Sequence, residues 1–335
     1  MQQAVASTGG TDRALAWATD RLLELGTRPT GPAELVKRRP WSAVHRLPVD
    51  HKVVWVKACG GRTGYEAPLN QALAAWVPDL VLTPLATDDD EGWLLLPDGG
   101  TPLRERADGA QPAGWTRFVR EYAGLQRAVA PHTAELLALG VPDQRPTALP
   151  ALLDELLDDP LLPLDGAVRA ALLRLRPAFA DACAELAAGG GTLGSEPASV
   201  QHDDLHAGNV LPADRSGRPD RFFDWGDACV AHPFSTLLVT LRSMAATSGL
   251  PAEHPALRAT RDAYLSGWEV EGPEGVRLAR LAAWTGCVGR ALAWRRALHG
   301  APPQEASEWS DAVPGWLAEL LEPTSAWFED GAAGG

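Results

Sequence analysis

Residues 201–209 read Gln-His-Asp-Asp-Leu-His-Ala-Gly-Asn, and a short way further on residues 222–227 read Phe-Phe-Asp-Trp-Gly-Asp. These segments bring Asp204, Asn209 and Asp224 into one short stretch, each beside apolar or β-branched residues that are typical of strands. Carboxylate and amide oxygens are hard ligands of the kind that magnesium prefers, and a carboxylate can also accept the proton of a hydroxyl group. The pattern therefore indicates a loop that combines proton transfer with metal binding.

The pattern His202-x-Asp204-Leu-His206-x-Gly208-Asn209, followed by Asp224-Trp225, resembles the signature of the aminoglycoside phosphotransferase and choline kinase superfamily. These are small-molecule kinases with the protein-kinase fold, in which the base and a metal-binding Asn stand five residues apart. The resemblance extends over roughly residues 38–300, although only this segment is highly specific. It implies an α+β, two-lobe protein-kinase-like fold, with a small antiparallel-sheet N-lobe and a larger, mainly helical C-lobe.

The resemblance also implies roles for the residues of the segment. Asp204 becomes the catalytic base, or the group that orients the acceptor hydroxyl, and Asn209 and Asp224 become ligands of Mg²⁺. For His202 and His206, the downstream Asn209 and Asp224-Trp225 favour an interpretation as hydrogen-bonded braces of the loop. Two readings stay open: His202, Asp204 and His206 would share one face of an extended strand and could bind the zinc or iron of a hydrolase, and Asp227 lies either near the metal or in solvent.

Lys57 ends the apolar run 53–56 and precedes a predicted helix that begins at Glu66. A lysine at this place can reach the α- and β-phosphates of a nucleotide, and a glutamate nine residues later can pair with it. A solvated lysine, and a glutamate that is favoured at a helix start by the macrodipole, are the alternatives.

The segment that would cover the phosphates, residues 38–46, contains no glycine. Ser42 is the residue there that could donate its backbone N–H or its hydroxyl group to a phosphate. Leu95 and Leu96, at the end of a predicted strand, should present backbone groups to the adenine edge. The resemblance implies ATP as the nucleotide, and the missing glycines leave GTP open.

Composition places the chain among ordinary globular proteins and limits its partners. Of the 335 residues, 45% are hydrophobic and 22% are charged, which suffices for two lobes with a sizeable core. A net charge of −13 argues against nucleic acid and would favour a cationic small-molecule acceptor.

No apolar run reaches the ~18 residues that a membrane span needs, and the N-terminus does not resemble a signal peptide, which predicts a cytoplasmic protein without a membrane partner. The four scattered cysteines indicate free thiols rather than zinc ligands or disulfides, and the oligomeric state, monomer or dimer, stays open.

Residues 1–97 are predicted to form the nucleotide-binding lobe. An amphipathic helix over 11–26, capped by Thr11 or Asp12 and ended by Gly26, comes first, followed by a loop rich in Pro and Gly. The remaining elements are strands at 41–48, 52–58, 81–86 and 92–96 and a helix at 66–76.

Residues 98–335 are predicted to form the helical lobe, with a hinge at 97–100. Helices are expected at 113–139, 147–158, 165–188, 233–248, 254–268, 275–298 and 304–322, and strands at 198–201, 209–212 and 221–225. Turns are expected at 189–191 and 214–219, and a frayed tail at 330–335.

The acceptor-binding residues are not recognisable in the sequence. The segment 268–274, with one Trp and three Glu, could meet an amine but reads better as a solvated loop. The run that contains Trp284, Arg290 and Trp294 has helical spacing, and its tryptophans read better as core than as a binding platform. We therefore expect a kinase that phosphorylates a hydroxyl group of an aminoglycoside-like compound, an amino sugar or an amino alcohol. A nucleotide-binding regulatory protein with little turnover is the alternative.

Overall fold

The computed structural model describes residues 8–107, 109, 111–189, 193–213 and 217–322. The predicted tail at 330–335 and parts of the turns at 189–191 and 214–219 lie outside these residues. The α-helices in chain order are Thr8–Glu24 (α1), Glu66–Trp76 (α2), Pro112–Val129 (α3), Thr133–Ala138 (α4), Leu149–Asp158 (α5), Gly166–Ala188 (α6), Thr236–Ser248 (α7), Pro255–Gly267 (α8), Gly272–Ala297 (α9), Pro303–Ala306 (α10) and Ala312–Ala318 (α11).

The first part of the chain forms a five-stranded antiparallel sheet with the order β1-β2-β3-β5-β4. Its strands are Glu34–Arg39 (β1), Ser42–Val49 (β2), Lys52–Cys59 (β3), Ala86–Asp88 (β4) and Trp93–Pro97 (β5). Alternate residues of the central strand β3 point to opposite faces. Val54, Val56 and Ala58 pack with α1 on the outer face, whereas Lys57 and Cys59 reach Glu66 of α2 on the inner face.

Helix α1 ends where a glycine can take up the left-handed conformation. Gly26 has φ +74°, and its N–H donates to the carbonyl oxygen of Leu23 while the N–H of Thr27 donates to that of Leu22. This pair of hydrogen bonds is the Schellman arrangement, which leaves no side chain in the sharp turn. The helix begins at Thr8, so Thr11 and Asp12 lie inside it and the cap predicted at these positions is wrong.

The rest of the chain is mainly helical and contains two small sheets. Strands Asp143–Gln144 (β6), Ser199–Gln201 (β7) and Cys229–Ala231 (β10) form one sheet with the order β6-β10-β7, and Val210–Leu211 (β8) pairs with Arg221–Phe222 (β9) in the other. The largest buried cluster unites helices α3 and α5–α9 with α2 of the first part. The architecture confirms the predicted α+β class, with an antiparallel sheet near the N-terminus and a helical remainder.

Several predicted elements differ from the observed ones. Strand β1 was expected as a loop, because five of its six residues are exposed and the strand shows no apolar alternation. The strand predicted at 81–86 does not form; Val81 makes a single parallel bridge with Phe222, and β4 begins at Ala86. The long helices predicted at 113–139 and 304–322 are each broken into shorter helices and 3₁₀ turns near prolines. Within the described part of the chain, no helix is both long and apolar enough to cross a bilayer.

Candidate nucleotide-binding and phosphoryl-transfer site

Lys57 joins two carboxylates that come from different parts of the chain. Its Nζ lies 2.6 Å from Glu66 Oε2 and 2.5 Å from Asp224 Oδ1. The position of Lys57 is fixed from both sides, because β3 is hydrogen-bonded to β2 and to β5. The structure therefore brings together three residues that the sequence predicted as a nucleotide site.

The electrostatics of this triad follow from burial and pairing. Burial alone would lower the pKa of Lys57, but attraction to Asp224 and to Glu66 outweighs it and holds the pKa well above its ordinary value. Burial would raise the pKa of Asp224, and attraction to Lys57 and then to Lys37 instead holds that pKa below its usual range. For Glu66, whose side chain is only 3% exposed, burial outweighs the attraction to Lys57 and raises the pKa. Lys57 and Asp224 are therefore charged at neutral pH.

The backbone around Asp224 is held against helix α2. Asp224 has φ +67°, a left-handed conformation that asparagine and aspartate tolerate better than most residues. A Cβ atom at Gly226 would lie 3.0 Å from Glu66 Oε2, so only glycine fits there without displacing the carboxylate. The hydroxyl group of Tyr65 lies within hydrogen-bond distance of the carbonyl oxygens of Gly226 (2.7 Å) and Ala228 (2.9 Å). These contacts hold the segment after Asp224 against the start of α2.

The loop that carries Asp204 is closed by side-chain contacts within itself. Asn209 Nδ2 donates to the carbonyl oxygen of Asp204 (2.9 Å) and lies 3.4 Å from its Oδ2. His206 Nε2 lies 3.5 Å from the same oxygen, and His206 Nδ1 accepts a hydrogen bond from the N–H of Gly208. Burial would raise the pKa of Asp204, but the hydrogen bond from His206 and the charge of Arg290 outweigh it and lower the pKa. Asp204 is thus ionised at neutral pH.

His202 supports the Asp204 loop from the interior of the protein. It is fully buried, its Nε2 lies 2.9 Å from the carbonyl oxygen of Phe223, and its ring packs on Trp225 with the ring centroids 4.7 Å apart. Burial lowers the pKa of His202, so the ring is neutral and Nε2 carries the proton that is donated to Phe223. This bond ties the Asp204 loop to the Asp224 loop, which agrees with a brace.

The metal-hydrolase reading of His202, Asp204 and His206 has no support in this geometry. The Nε2 atom of His202 is used by Phe223, and the Nδ1 atom of His206 is used by Gly208. Over the described residues, no group of three or more His, Cys, Asp and Glu side chains is arranged to hold a metal ion.

The donor set that remains fits a magnesium–nucleotide complex. Asn209 uses its amide nitrogen within the loop, and its Oδ1 atom makes no hydrogen bond to any described residue. Asp224 uses Oδ1 for Lys57, and its Oδ2 atom is likewise unbonded within the described chain. One amide oxygen and one carboxylate oxygen are the small set of protein ligands that magnesium takes when phosphates and water complete its shell.

Arg290 on α9 is a site residue that the sequence did not reveal. Its side chain is 6% exposed; Nη1 lies 3.2 Å from Asp203 Oδ2 and 3.0 Å from Asp227 Oδ2, and it also donates to the carbonyl oxygen of Asp203. The guanidinium group therefore joins the loop of Asp204 to the loop of Asp224. The arginine lies 63 and 87 positions from its partners in sequence, so helical spacing could only place it in a core run. The sequence left open whether Asp227 lies near the metal or in solvent. In the structure, Asp227 pairs with Arg290.

The remaining predicted nucleotide contacts lie on the sheet. Ser42 begins β2 opposite Cys59 and is buried. The carbonyl oxygen of Leu95 accepts a hydrogen bond from the N–H of Leu85, whereas Leu96 pairs only with Trp55 of β3 and has no partner in β4. The edge of β5 is thus open from Leu96 onward.

The turn between β1 and β2 reaches the helical part of the molecule. Trp41, in this turn, makes edge contacts with Trp294 and Trp309 at centroid distances of 5.6 Å and 5.8 Å, and those two rings stack on each other at 5.1 Å. We call Trp41, Trp294 and Trp309 the tryptophan cluster. It joins the hairpin that would cover the phosphates to α9 and to the 3₁₀ turn after α10.

The acidic segment 268–274 does not form a cluster that faces the site. Trp268 is buried and donates to the hydroxyl group of Tyr264, Glu269 pairs with Arg127, and Glu274 pairs with Arg277. The interpretation as a loop next to the core accounts for these contacts.

Comparisons with known proteins match this architecture. The sequence profile of APH, the phosphotransferase enzyme family, matches residues 66–279. The fold is similar to that of a choline/ethanolamine kinase family protein from Mesorhizobium loti (TM-score 0.60, 17% identity, 93% of this chain and 95% of that chain covered). It is also similar to macrolide 2′-phosphotransferase MphH from Brachybacterium faecium (TM-score 0.58, 16% identity, 88% and 97% covered) and to the GDP and kanamycin complex of APH(2″)-IIIa (TM-score 0.59, 14% identity, 92% and 98% covered). The comparison with curated proteins gave no match. Because the profile covers more than half of the chain, the protein belongs to the phosphotransferase enzyme family, and its fold is that of the protein-kinase-like small-molecule kinases.

Proposed function

We propose that the protein transfers the γ-phosphoryl group of ATP, with Mg²⁺, to a hydroxyl group of a small amine-bearing molecule. Family membership supports the reaction class, a small-molecule kinase. The observation that carries the proposal is the contact of Lys57 with both Glu66 and Asp224 beside the loop of Asp204. This arrangement offers a cation for phosphates, a metal-binding carboxylate and a base in one cleft.

Asp204 receives the proton of the acceptor hydroxyl in this proposal. Its Oδ2 atom faces His206 and Asn209, while its Oδ1 atom has no hydrogen bond to a described residue and is open to the acceptor. The lowered pKa of Asp204 keeps the carboxylate ionised and able to accept a hydrogen bond. Its main contribution would be to orient the hydroxyl group, since phosphoryl transfer depends mostly on positioning and charge stabilisation.

Lys57, Asn209 and Asp224 hold the nucleotide. Lys57 would contact the phosphates while Glu66 fixes its ammonium group. Asn209 Oδ1 and the free oxygen of Asp224 would hold the magnesium ion, which when bound neutralises the charge of the phosphate oxygens. Ser42 and the open edge of β5 from Leu96 onward would complete the contacts to phosphate and base.

The acceptor is an aminoglycoside-like compound, an amino sugar or an amino alcohol in this proposal. A net charge of −13 favours a cationic acceptor. Two of the similar structures are a kanamycin complex and a choline/ethanolamine kinase family protein, whose named ligand and substrates carry amines.

The test is a screen of nucleotide consumption with ATP and with GTP against aminoglycosides, macrolides, amino sugars, choline and amino alcohols. At least one acceptor should raise turnover well above the acceptor-free rate. For that acceptor, Asp204→Asn should lower kcat by about 10²-fold or more while nucleotide affinity stays within a few-fold, because a positioned base contributes roughly that much. Binding of nucleotide without turnover on any acceptor would favour a regulatory protein, and an unchanged kcat in Asp204→Asn would remove the base assignment.

A further inference from the structure

Lys37 lies on the same face of the sheet as Lys57. The antiparallel register sets Lys37 of β1 opposite Val44 of β2, and Val44 opposite Lys57 of β3. Directly opposite residues in neighbouring strands point to the same face. Because Lys57 meets Glu66 and Asp224 on that face, Lys37 lies on the side of the sheet that faces these carboxylates.

The positive charge of Lys37 attracts the carboxylate of Asp224, although the Lys37 side chain is exposed. After Lys57, Lys37 is the next cation whose attraction lowers the pKa of Asp224, against the effect of burial. Its neighbour Arg38 belongs to the opposite row of the strand, opposite Ala43 and on the side of His45. No hydrogen bond or ion pair joins Lys37 to another residue in the described part of the chain, so its ammonium group is available to a ligand.

The position of Lys37 is steadied by the tip of its hairpin. The turn after β1 carries Trp41, which packs in the tryptophan cluster, and the guanidinium group of Arg39 lies over the ring of Trp309 at 5.6 Å. The N–H of Gly60 donates to the carbonyl oxygen of Trp41 (2.8 Å) and joins the turn to the end of β3. Lys37 is therefore held beside the cleft on a strand that is anchored at one end.

The charges of the cleft leave room for a second cation. Lys57 is one positive charge beside the carboxylates of Glu66 and Asp224. These carboxylates offset the lysine and part of the charge of a bound magnesium ion, whereas a nucleoside triphosphate brings several negative charges. The hairpin has no glycine with which to bring a row of backbone N–H groups close to the phosphates. A lysine side chain can deliver the missing positive charge from the same hairpin.

We propose that Lys37 is a second phosphate-binding lysine, which contacts the phosphate chain of the nucleotide from the β1–β2 hairpin. This role rests on the proposed function. Two lysines would then bind the phosphates. Glu66 and Asp224 orient the ammonium group of Lys57, and Lys37 approaches the phosphates from the exposed strand β1.

The experiment is equilibrium binding by calorimetry, without acceptor and without turnover. Dissociation constants for ATP and for AMP are measured for the wild type, Lys37→Met, Lys37→Arg and the control Lys52→Met, which removes an exposed lysine from the start of β3. Lys37→Met should weaken ATP binding about tenfold, as expected for one charge-assisted contact. AMP binding should change less than about twofold, because AMP lacks the distal phosphates.

The controls separate this proposal from the proposed function. Lys37→Arg should retain most of the ATP affinity and Lys52→Met all of it, and the tenfold difference should shrink in high salt. An unchanged ATP affinity in Lys37→Met, or an equal loss for ATP and AMP, overturns the assignment of Lys37. A wild-type protein that binds neither ATP nor GTP overturns the proposed function itself.

Discussion

Lys57 is the centre of the proposed nucleotide site and also a structural tie, because the carboxylates of Glu66 and Asp224 both pair with it. Glu66 is 3% exposed, and removal of the lysine would leave this buried carboxylate without its cation. Breaking such a pair from one side costs about 3–5 kcal/mol, whereas replacing both partners by apolar residues is often neutral. The pair is therefore weak evidence for stability, and its structural effect is to fix the ammonium group of Lys57 in place.

We expect Lys57→Met to lower the free energy of unfolding at neutral pH by about 3 kcal/mol, and Lys57→Met with Glu66→Leu to restore most of it. Urea unfolding followed by circular dichroism measures both variants against the wild type. Neither variant should transfer phosphate. A double variant that is no more stable than Lys57→Met would show that the cost lies elsewhere, for example at Asp224.

Asp203 should give the stability of the protein a specific dependence on pH. Burial raises the pKa of Asp203 to about 7, although Arg290 opposes this, and the unfolded chain has a pKa of about 3.9. Between these values the folded state holds a proton that the unfolded state has lost. The contribution of Asp203 is therefore complete below about pH 4 and is lost as the pH rises through about 7.

Asp203→Asn cannot titrate, so it should gain stability relative to the wild type as the pH rises from about 4.5 to about 7.5, by roughly 2 kcal/mol or more. Urea unfolding of both proteins across this range gives the difference. Asp89→Asn, a change in an exposed turn, is the matched control and should show no such trend. A difference between Asp203→Asn and the wild type that stays constant with pH would mean that Asp203 is ionised throughout.

Single residues differ in how well the sequence reveals them. Lys57 and Glu66 could be paired in advance because Lys57 lies near the end of an apolar strand and Glu66 begins the next α-helix. Their roles, like those of Asp204, Asn209 and Asp224, stay predictions until variants are measured. Arg290 could not be paired in this way, because its partners Asp203 and Asp227 are brought to α9 only by tertiary folding.

At the scale of secondary structure, the tryptophan cluster joins the tip of the β1–β2 hairpin to the helical part of the molecule. Trp309 contacts both Trp41 and Trp294, so its loss removes two aromatic contacts at once, each worth about 0.5–1.5 kcal/mol. The hairpin has few other anchors at its tip, since β1 is an exposed edge strand.

We expect Trp309→Ala to speed hydrogen exchange of backbone amides in residues 34–49 by about tenfold, while α8 keeps the exchange of the wild type. Mass spectrometry of proteolytic fragments gives this comparison. Trp76→Ala, which removes a ring stacked on His132 away from the hairpin, is the control. Unchanged exchange at residues 34–49 would mean that the strand pairing of β1 and β2 alone holds the hairpin.

Secondary structure was predictable where local pattern and local contacts coincide. Helix α2 and strands β2, β3 and β5 lie within one or two residues of expectation, because each shows a clear apolar pattern between turn residues. Strands β6 and β10 were not foreseen, since they are two and three residues long and pair in parallel across more than eighty positions of sequence. No local pattern encodes such a pairing. The boundary between the lobes at residue 97 stays a prediction.

At the scale of the whole molecule, the net charge of −13 should act on the acceptor before it reaches the site. A protein with a net negative charge raises the local concentration of cations and accelerates their association, and salt screens this effect with a length of about 10 Å at 0.1 M. For an acceptor with several amines, we expect kcat/KM to fall by about tenfold between about 50 mM and about 500 mM KCl.

The matched measurement uses the same acceptor after N-acetylation, which removes the positive charges and keeps the hydroxyl groups. Its kcat/KM should be lower at low salt and nearly independent of salt, so that the two acceptors become more alike as the ionic strength rises. Steady-state kinetics at four or more salt concentrations, with saturating nucleotide, gives both slopes. Equal slopes for the two acceptors would show that the acidity of the surface does not select the acceptor, and that discrimination rests on contacts inside the helical lobe.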